Sequence, residues 1–363
     1  MNVKILKITA IVLFLAVDFY SCKKPADNFA GIAMTTQIVR HVYFRMAGTG
    51  SVTIDWGDKT PAETFVLTPF KEEYRTEFEF KHDYSYDCSD FSNCSSYTIK
   101  ISGENITFLS CSRDEFTWGF FKDLDVRSCK TLTRLNCSYN RMTSLDVSKN
   151  TSLTYLICGG NQLTNLDVQK NTALTYLNCD FNEITNLDVS KNTSLTNLSC
   201  GGNQLTNLDV SNNTKLTHLE CWSNRLTNLD VSKLKALTHL SCGTQLADLD
   251  VSNNAELIEL WCSNNQLTSL DVSKNTKLKL LICYNNSLTS LDVSKNTMLD
   301  GYYCLNCQLN KLSIEALNNL FKTLHSNPPL SDSLGKGILI NGNPGTDECD
   351  YSIAENKGWT VYK

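Results

Sequence analysis

The feature that most constrains this chain is a triplet that keeps returning. Leu-Asp-Val recurs with its leucine at positions 124, 145, 166, 187, 208, 229, 249, 270 and 291, and Leu312-Ser313-Ile314 reads as a degenerate tenth copy. The steps are 21 residues throughout, except for one of 20. A second marker runs in phase with it, Leu-x-x-Leu-x-Cys-x-x-Asn-x-Leu, seen cleanly as Leu153, Leu156, Cys158, Asn161 and Leu163. Each period supplies about six apolar groups, such as Leu153, Leu156, Cys158, Leu163, Leu166 and Val168. One coil cannot bury them alone, so neighbouring coils must stack. Leu156 and Cys158 alternate with Tyr155 and Ile157, which is a strand with one face inward. Ser-Lys-Asn-Thr then turns the chain back. Nothing in the repeat has a helical period. The expectation is a mostly β chain: a thin solenoid of about ten coils whose concave face is a parallel sheet.

Sixteen cysteines would normally raise a disulfide framework or metal clusters. Spacing argues otherwise. Cys111, Cys137, Cys158, Cys179, Cys200, Cys221, Cys242, Cys262, Cys283 and Cys304 hold one repeat position and form a column of small buried groups. No paired metal-ligand spacing accompanies them. The asparagines at 140, 161, 182, 203, 224, 265 and 286 face inward on the same register and must bond turn backbone in adjacent coils. Asp146, Asp167 and their equivalents bond their own turns, since one carboxylate per coil does not assemble a calcium site. The repeat resembles the leucine-rich repeat, with cysteine replacing the third leucine, over residues 103–312. The resemblance implies protein recognition, as in bacterial internalin-like adhesins, and no cofactor.

Two places break the period. Five extra residues, Trp118 to Lys122, precede Leu124. In the coil at 229–246, Leu234-Lys235-Ala236 replaces the usual Asn-Thr, and one residue is lost at Gly243-Thr244-Gln245 together with the asparagine. Residues 313–363 read as a cap over the open end of the solenoid. Ile314, Leu317, Leu320, Phe321 and Leu324 fall at helical spacing behind Ser313 as N-cap. Ile338-x-Ile340-x-x-Asn343 repeats the strand marker once more, and Cys307 and Cys349 are candidates for a disulfide across the cap.

Upstream, Lys4 and Lys7 precede an apolar run from Ile8 to Val17, too short to span a bilayer and suited to a signal peptide over residues 1–21. Ser21-Cys22 resembles the lipobox of bacterial lipoproteins, which implies a lipid on Cys22, a tether over 22–33 and, with Lys23 and Lys24 following, sorting to the outer membrane and cell surface. From 34 to 102 the pattern is that of a small β-sandwich: Val52, Ile54 and Trp56 alternate, as do Tyr97, Ile99 and Ile101. Val52-Thr53-Ile54-Asp55-Trp56-Gly57-Asp58, His82-Asp83-Tyr84 and Tyr97-Thr98-Ile99 resemble the polycystic-kidney-disease type of immunoglobulin-like domain, which usually carries Gly where Lys59 stands. That resemblance implies a spacer or adhesive module. His82 reads as a hydrogen-bonded structural histidine, and Cys88 and Cys94 as a possible disulfide.

The net charge of −5 and the absence of a basic block argue against nucleic acid. No phosphate loop, nucleophile elbow or metalloprotease motif is present. The variable positions of the concave face carry what is informative. Tyr155, Tyr176, His218, His239 and Glu259 follow one another in one column, while Glu220, Trp222, Trp261 and Tyr284 flank the cysteines. These nine are the candidate ligand contacts, because exposed aromatic rings on a concave surface favour binding. His218, His239 and Glu259 have ligand chemistry for a metal, but a polar contact patch is the preferred reading. Glu220 and Glu259 as a hydrolase pair lack an enclosing pocket. The expectation is therefore a monomeric, non-enzymatic surface lipoprotein that binds a protein. A glycan stacked on Trp222, Trp261 and Tyr284 is the alternative.

Overall fold

The computed structural model describes residues 31–36, 41–71, 78–84, 96–112, 121–243, 245–329 and 335–363. The signal segment, Cys22, Cys88 and Cys94 lie outside the described residues. Among the described residues no helix is long and apolar enough to cross a membrane.

The N-terminal strands are β1 (Ile32–Thr36), β2 (His41–Gly48), β3 (Gly50–Asp55), β4 (Glu63–Leu67), β5 (Phe78–Asp83), β6 (Thr98–Gly103), β7 (Ile106–Ser110) and β8 (Phe121–Asp125). They form a five-stranded sheet in the order β4-β3-β6-β1-β8 and the edge β7-β2-β5 of a larger second sheet. Strand β1 starts inside the stretch expected to be tether, because the Ile32 side chain is fully buried. Alternation places Ile32, Met34, Ile54, Ile99 and Ile101 inside, with Phe44 and Trp56 filling the core. The Trp56 indole N–H donates to Glu63 Oε1 at 2.8 Å. His82 stacks on its ring at 4.6 Å and puts Nε2 2.7 Å from Asp58 Oδ2, while the Tyr84 hydroxyl donates to Trp56 O at 2.9 Å. His82 is thus a structural residue. Lys59 adopts φ 71°, in the left-handed region that favours glycine.

The repeats build a continuous parallel ladder. Its three-residue strands are β9 (Arg134–Asn136), β10 (Tyr155–Ile157), β11 (Tyr176–Asn178), β12 (Asn197–Ser199), β13 (His218–Glu220), β14 (His239–Ser241), β15 (Glu259–Trp261) and β16 (Leu280–Ile282). They continue into β17 (Gly301–Asn306), β18 (Lys336–Leu339) and β19 (Trp359–Tyr362). Strand β7 pairs in parallel with β9, so one 14-stranded sheet runs from the N-terminal unit to the C-terminus. In each coil the leucines, the cysteine and the valine are buried, as Leu153, Leu156, Cys158, Leu163, Leu166 and Val168 show. Replacing one such leucine with Ala removes about 2–5 kcal/mol of packing.

Two amide ladders stitch the coils. In the first, Asn161 donates through Nδ2 to Cys137 O and Cys158 O, both at 3.0 Å, and accepts the Met142 N–H at 3.1 Å. This is the bonding of adjacent turns that its inward register requires. The second runs through Asn150, Asn171, Asn192, Asn213, Asn254, Asn275 and Asn296, all fully buried. Asn171 donates to Val147 O at 3.0 Å and to Asn150 O at 2.9 Å. The sequence reading treated these residues only as turn formers. The aspartates bond their own turns as expected: Asp146 Oδ1 accepts the Ser148 N–H at 3.0 Å.

The cysteine column needs one correction. Its last member is Cys307 rather than Cys304. Leu281 pairs with Leu305 and Ile282 with Asn306, and the Cys283 N–H donates to Asn306 O at 2.8 Å. Three extra residues around Gly301–Tyr303 shift the register, and the 21-residue period lands on the wrong thiol. For the same reason Leu312 is not the leucine of a tenth triplet. It follows Asn310 by two residues, as Leu163 follows Asn161, and it donates to Asn343 Oδ1 at 3.2 Å. The triplet position itself falls in helix α1 (Ile314–Thr323), whose N-cap Ser313 accepts the Ala316 N–H at 3.2 Å. A short helix α2 (Ser352–Glu355) completes the cap. Cys307 and Cys349 are free buried thiols, with Sγ atoms donating to Leu339 O and Thr346 O at 3.5 Å. The disulfide expected between them is not formed. Burial pushes the column thiols up, those of Cys111, Cys158, Cys242 and Cys283 to about 12.

Candidate functional site

Because each strand repeats three outward and inward positions in register, residues 21 apart in sequence become lateral neighbours. His218 pairs with His239 and His239 with Glu259, while Glu220 pairs with Ser241 and Ser241 with Trp261. This makes a grid of two columns and three strands, with the inward leucines buried beneath it. Ser241 is small, so the grid dips between Glu220 and Trp261. The result is a cleft of about 300 Å³ lined by His218, Glu220, Trp222, His239, Leu240, Ser241, Glu259 and Trp261. Six of the nine sequence candidates therefore meet in one place.

The geometry inside the cleft is specific. The imidazoles of His218 and His239 stack with centroids 4.2 Å apart and planes at 8°. Each ring is held from behind: Nδ1 of His218 lies 2.9 Å from Thr217 Oγ1, and Nδ1 of His239 lies 2.8 Å from Thr238 Oγ1. Desolvation, with the second imidazole beside it, lowers the pKa of His218. Ser199 Oγ bonds Glu220 Oε2 at 3.2 Å, and the Trp261 indole N–H donates to Glu259 Oε2 at 3.2 Å. His239 Nε2 stands 3.8 Å from Glu259 Oε1. Trp261 remains 42% exposed, a large apolar surface to leave open to solvent.

Trp222 reaches the cleft from the turn after Cys221. A Cβ built on Gly201 would lie 2.5 Å from Trp222 Cε2, so the glycine is the seat of the indole. Phe181 packs edge-on against Trp222 at 5.1 Å and is 55% exposed. Phe181 was not among the sequence candidates. The signal was available in the position two after each cysteine, which alternates Tyr139, Gly160, Phe181 and Gly202. All four have positive φ, and each ring lies over the glycine of the next coil. Asp180 sits beneath this corner, accepting the Gly201 N–H at 2.6 Å and the Asn178 amide at 3.0 Å. Burial pushes its carboxyl up to about 6, despite those bonds and with the Glu220 charge adding to the rise.

Three candidates lie elsewhere. Tyr155 and Tyr176 stack on each other at 4.3 Å at the N-terminal end of the sheet. The Arg134 guanidinium lies between the Tyr155 ring, at 5.1 Å, and the Phe70 ring, at 5.3 Å, and Phe70 stacks on Phe108. This stack joins the N-terminal unit to the first coils, and Asn197 separates Tyr176 from His218 in the column. Tyr284 is half-buried and its hydroxyl lies 3.3 Å from Asn264 Nδ2, outside the cleft.

The cleft does not have chelating geometry. Nearly parallel stacked rings point their free nitrogens side by side rather than at one ion. Among the described residues no group of three or more His, Cys, Asp or Glu is disposed to hold a metal.

No model of a known protein family matches the chain, and no curated protein does. Among solved structures it is similar to the functional domain of InlJ from Listeria monocytogenes, described as including a cysteine ladder. The two are 37% identical, the match covers 70% of this chain and 53% of that one, and the TM-score is 0.60. The chain thus spans about half the length of that structure. A leucine-rich-repeat protein of Leptospira interrogans matches at 20% identity, covering 66% and 74% of the two chains with a TM-score of 0.47. An internalin (inlF) of Listeria monocytogenes matches at 19% identity, covering 70% and 86% with a TM-score of 0.45. The solenoid is a leucine-rich-repeat fold, mostly β and with a cysteine ladder of its own.

Proposed function

We propose that this chain is a non-enzymatic, surface-displayed binding protein that recognises a protein ligand on the concave face of its solenoid. The observation that carries the reading is the convergence of His218, Glu220, Trp222, His239, Glu259 and Trp261 on one cleft. A repeat fold buries its invariant residues and leaves its variable ones outside. Here the variable ones collect as two indoles, two imidazoles and two carboxylates on a rigid sheet. Aromatic anchors ringed by polar groups are the usual composition of a protein-binding hot spot. The structural likeness to InlJ, whose functional domain includes a cysteine ladder, supports reading the solenoid as the functional part of the chain. After removal of the leader that precedes Cys22, lipid attached to that cysteine would tether the monomer to the outer membrane. The unit over 34–102, with its resemblance to the polycystic-kidney-disease type of domain, would hold the solenoid away from the surface. No cofactor enters this reading. Hydrolysis by Glu220 and Glu259 is disfavoured by a cleft that opens onto the sheet, where water is not excluded.

A second reading has its own observation. The exposed Trp261 ring and the Trp222 face could stack on sugar rings, which makes a glycan the alternative ligand. The test is a quadruple variant, His218→Ala, Glu220→Ala, Trp222→Ala and Trp261→Ala, compared with the intact protein for binding to a panel of surface proteins and to a glycan array. Protein binding that is lost in the variant, with the melting temperature unchanged, is the expected result. Undiminished binding would refute the concave assignment. Binding confined to glycans would select the second reading.

A further inference from the structure

The hydrogen-bond count in the cleft decides what kind of group it can receive. Thr217 Oγ1 donates its single proton to Thr196 O at 3.1 Å, and Thr238 Oγ1 donates to Thr217 O at 2.9 Å. Neither hydroxyl has a second proton for the imidazole behind it. Nδ1 of His218 and of His239 must therefore carry the proton in those 2.9 and 2.8 Å contacts. In the neutral ring that leaves Nε2 as an acceptor. Glu220 and Glu259 each have one oxygen engaged by Ser199 or Trp261, which leaves Oε1 of each as a further acceptor. Among the described residues no lysine or arginine lines the cleft. Its polar lining is thus dominated by acceptors: two carboxylates and two imidazole nitrogens, flanked by two indole faces. His239 Nε2 and Glu259 Oε1 face each other at 3.8 Å, a distance that a donor placed between or above them would relieve.

We infer that the cleft takes one basic side chain, a lysine or arginine, of the protein ligand. The ammonium or guanidinium donates to Glu220, Glu259 and the Nε2 atoms, and its stem and charge lie against Trp222 and Trp261. The inference rests on the protein-binding function proposed above. A multi-donor cation satisfies a lining dominated by acceptors, and an indole face adds attraction to the same charge. A sugar would bring acceptors as well as donors and would leave part of this lining unmatched. The charged and titratable groups around the cleft are His218 and Glu220 on β13, His239 on β14, Glu259 on β15 and Asp180 below Trp222. Protonating His218 would turn an acceptor into a donor and add like charge, so a cationic guest would be held less well; desolvation and the neighbouring imidazole place that change below the ordinary histidine range.

The probes are Nα-acetyl-lysine methylamide, its arginine counterpart and the uncharged norleucine counterpart, titrated into the intact chain while the indole N–H signals of Trp222 and Trp261 are followed by NMR. The lysine or arginine probe should shift both signals saturably, with affinity at least about tenfold above norleucine. The affinity should fall at least about fivefold in a Glu220→Gln, Glu259→Gln double variant. Norleucine binding as well as lysine, or an undiminished response in the double variant, would overturn the inference. The failure of the parent reading looks different. If the surface ligand ignores the Trp222→Ala, Trp261→Ala pair, the concave-face proposal falls. If it needs both indoles but is indifferent to the two glutamine substitutions, that proposal stands and only the cationic guest is refuted.

Discussion

The two asparagine ladders look alike in sequence, yet the structure assigns them very different energies, and substituting one member of each separates them. Asn182, in the first ladder, donates to Cys158 O at 3.1 Å and to Cys179 O at 3.0 Å, and accepts the Leu163 N–H at 3.0 Å. In Asn182→Leu each carbonyl keeps a second donor, Asn161 on Cys158 O and Asn203 on Cys179 O. The Leu163 N–H keeps none. Two lost bonds at about 1 kcal/mol each and one orphaned buried N–H at about 1–3 kcal/mol give a cost of about 3–5 kcal/mol. Asn192, in the second ladder, donates to Val168 O at 2.9 Å and Asn171 O at 2.9 Å, but its own Oδ1 is buried without a partner. Asn192→Leu loses the same two bonds while removing an unsatisfied oxygen and adding apolar burial, so the net is within about 1 kcal/mol of zero. The protein already contains this substitution. Leu234 occupies the equivalent position, fully buried, and keeps the turn through its N–H to Val231 O at 2.9 Å. Urea unfolding of the two variants, with hydrogen exchange at Leu163, measures the difference. Equal destabilisation by both substitutions would refute the accounting, as would a Leu163 amide that stays protected in Asn182→Leu.

Two further outcomes follow from the corner around Trp222. The Asp180 carboxyl, raised to about 6 by burial, binds its proton more tightly in the folded chain than in the unfolded one. Its contribution is therefore fully present below about pH 4 and is lost as the pH rises through about 6, an effect on the order of 2–3 kcal/mol. Asp180→Asn should raise the melting temperature at pH 7 and remove the gain in stability that the parent shows between about pH 7 and 5; an unchanged pH profile would contradict this origin. Gly201→Ala places a methyl where the Trp222 indole rests, so the ring must move. It should cost about 1–3 kcal/mol and shift Trp222 fluorescence. It should also weaken the lysine probe, although no contacting side chain has been changed; unchanged affinity would show that the indole does not need its seat.

How much of this was legible in the sequence depended on whether period or register carried the information. The 21-residue spacing was enough for the solenoid, the parallel sheet, the burial of the cysteines and the first asparagine ladder, because each follows from alternation and stacking alone. It failed at Cys304, which stands the expected 21 residues after Cys283 while Cys307 holds the position. The discriminating signal was local: Cys307 is followed three residues later by Asn310, whose amide bonds both Cys283 O and Cys307 O at 3.1 Å. Counting a repeat across an insertion misleads, whereas the pair of residues that bond each other does not. The second ladder was missed for another reason. Asparagine in a Ser-Lys-Asn-Thr turn is explained by turn propensity, and nothing in one coil shows that the next coil's amide will reach its carbonyl. Phe181 stands two residues after its cysteine, one past the flanking position that carries Trp222 and Tyr284. Its position lies in the following turn, where φ 52° and the neighbouring glycine fold the ring back toward the sheet.

The same accounting explains why the cleft lies where it does. An inward leucine, cysteine or first-ladder asparagine cannot vary without a cavity or an orphaned polar group, so change that alters the surface is cheap only at outward strand positions and in the turn after the cysteine. A binding surface on this scaffold must be assembled from those positions, one or two residues per coil, and depth can come only from contrast in side-chain size. Ser241 between Glu220 and Trp261, and Gly201 beneath Trp222, supply that contrast. Both are small residues with large neighbours on adjacent coils, 20 or 21 residues away. The coil that carries Ser241 is also the one that lost a residue and both ladder asparagines, with Leu234 in one place. The period therefore breaks in the coil that forms the floor of the cleft.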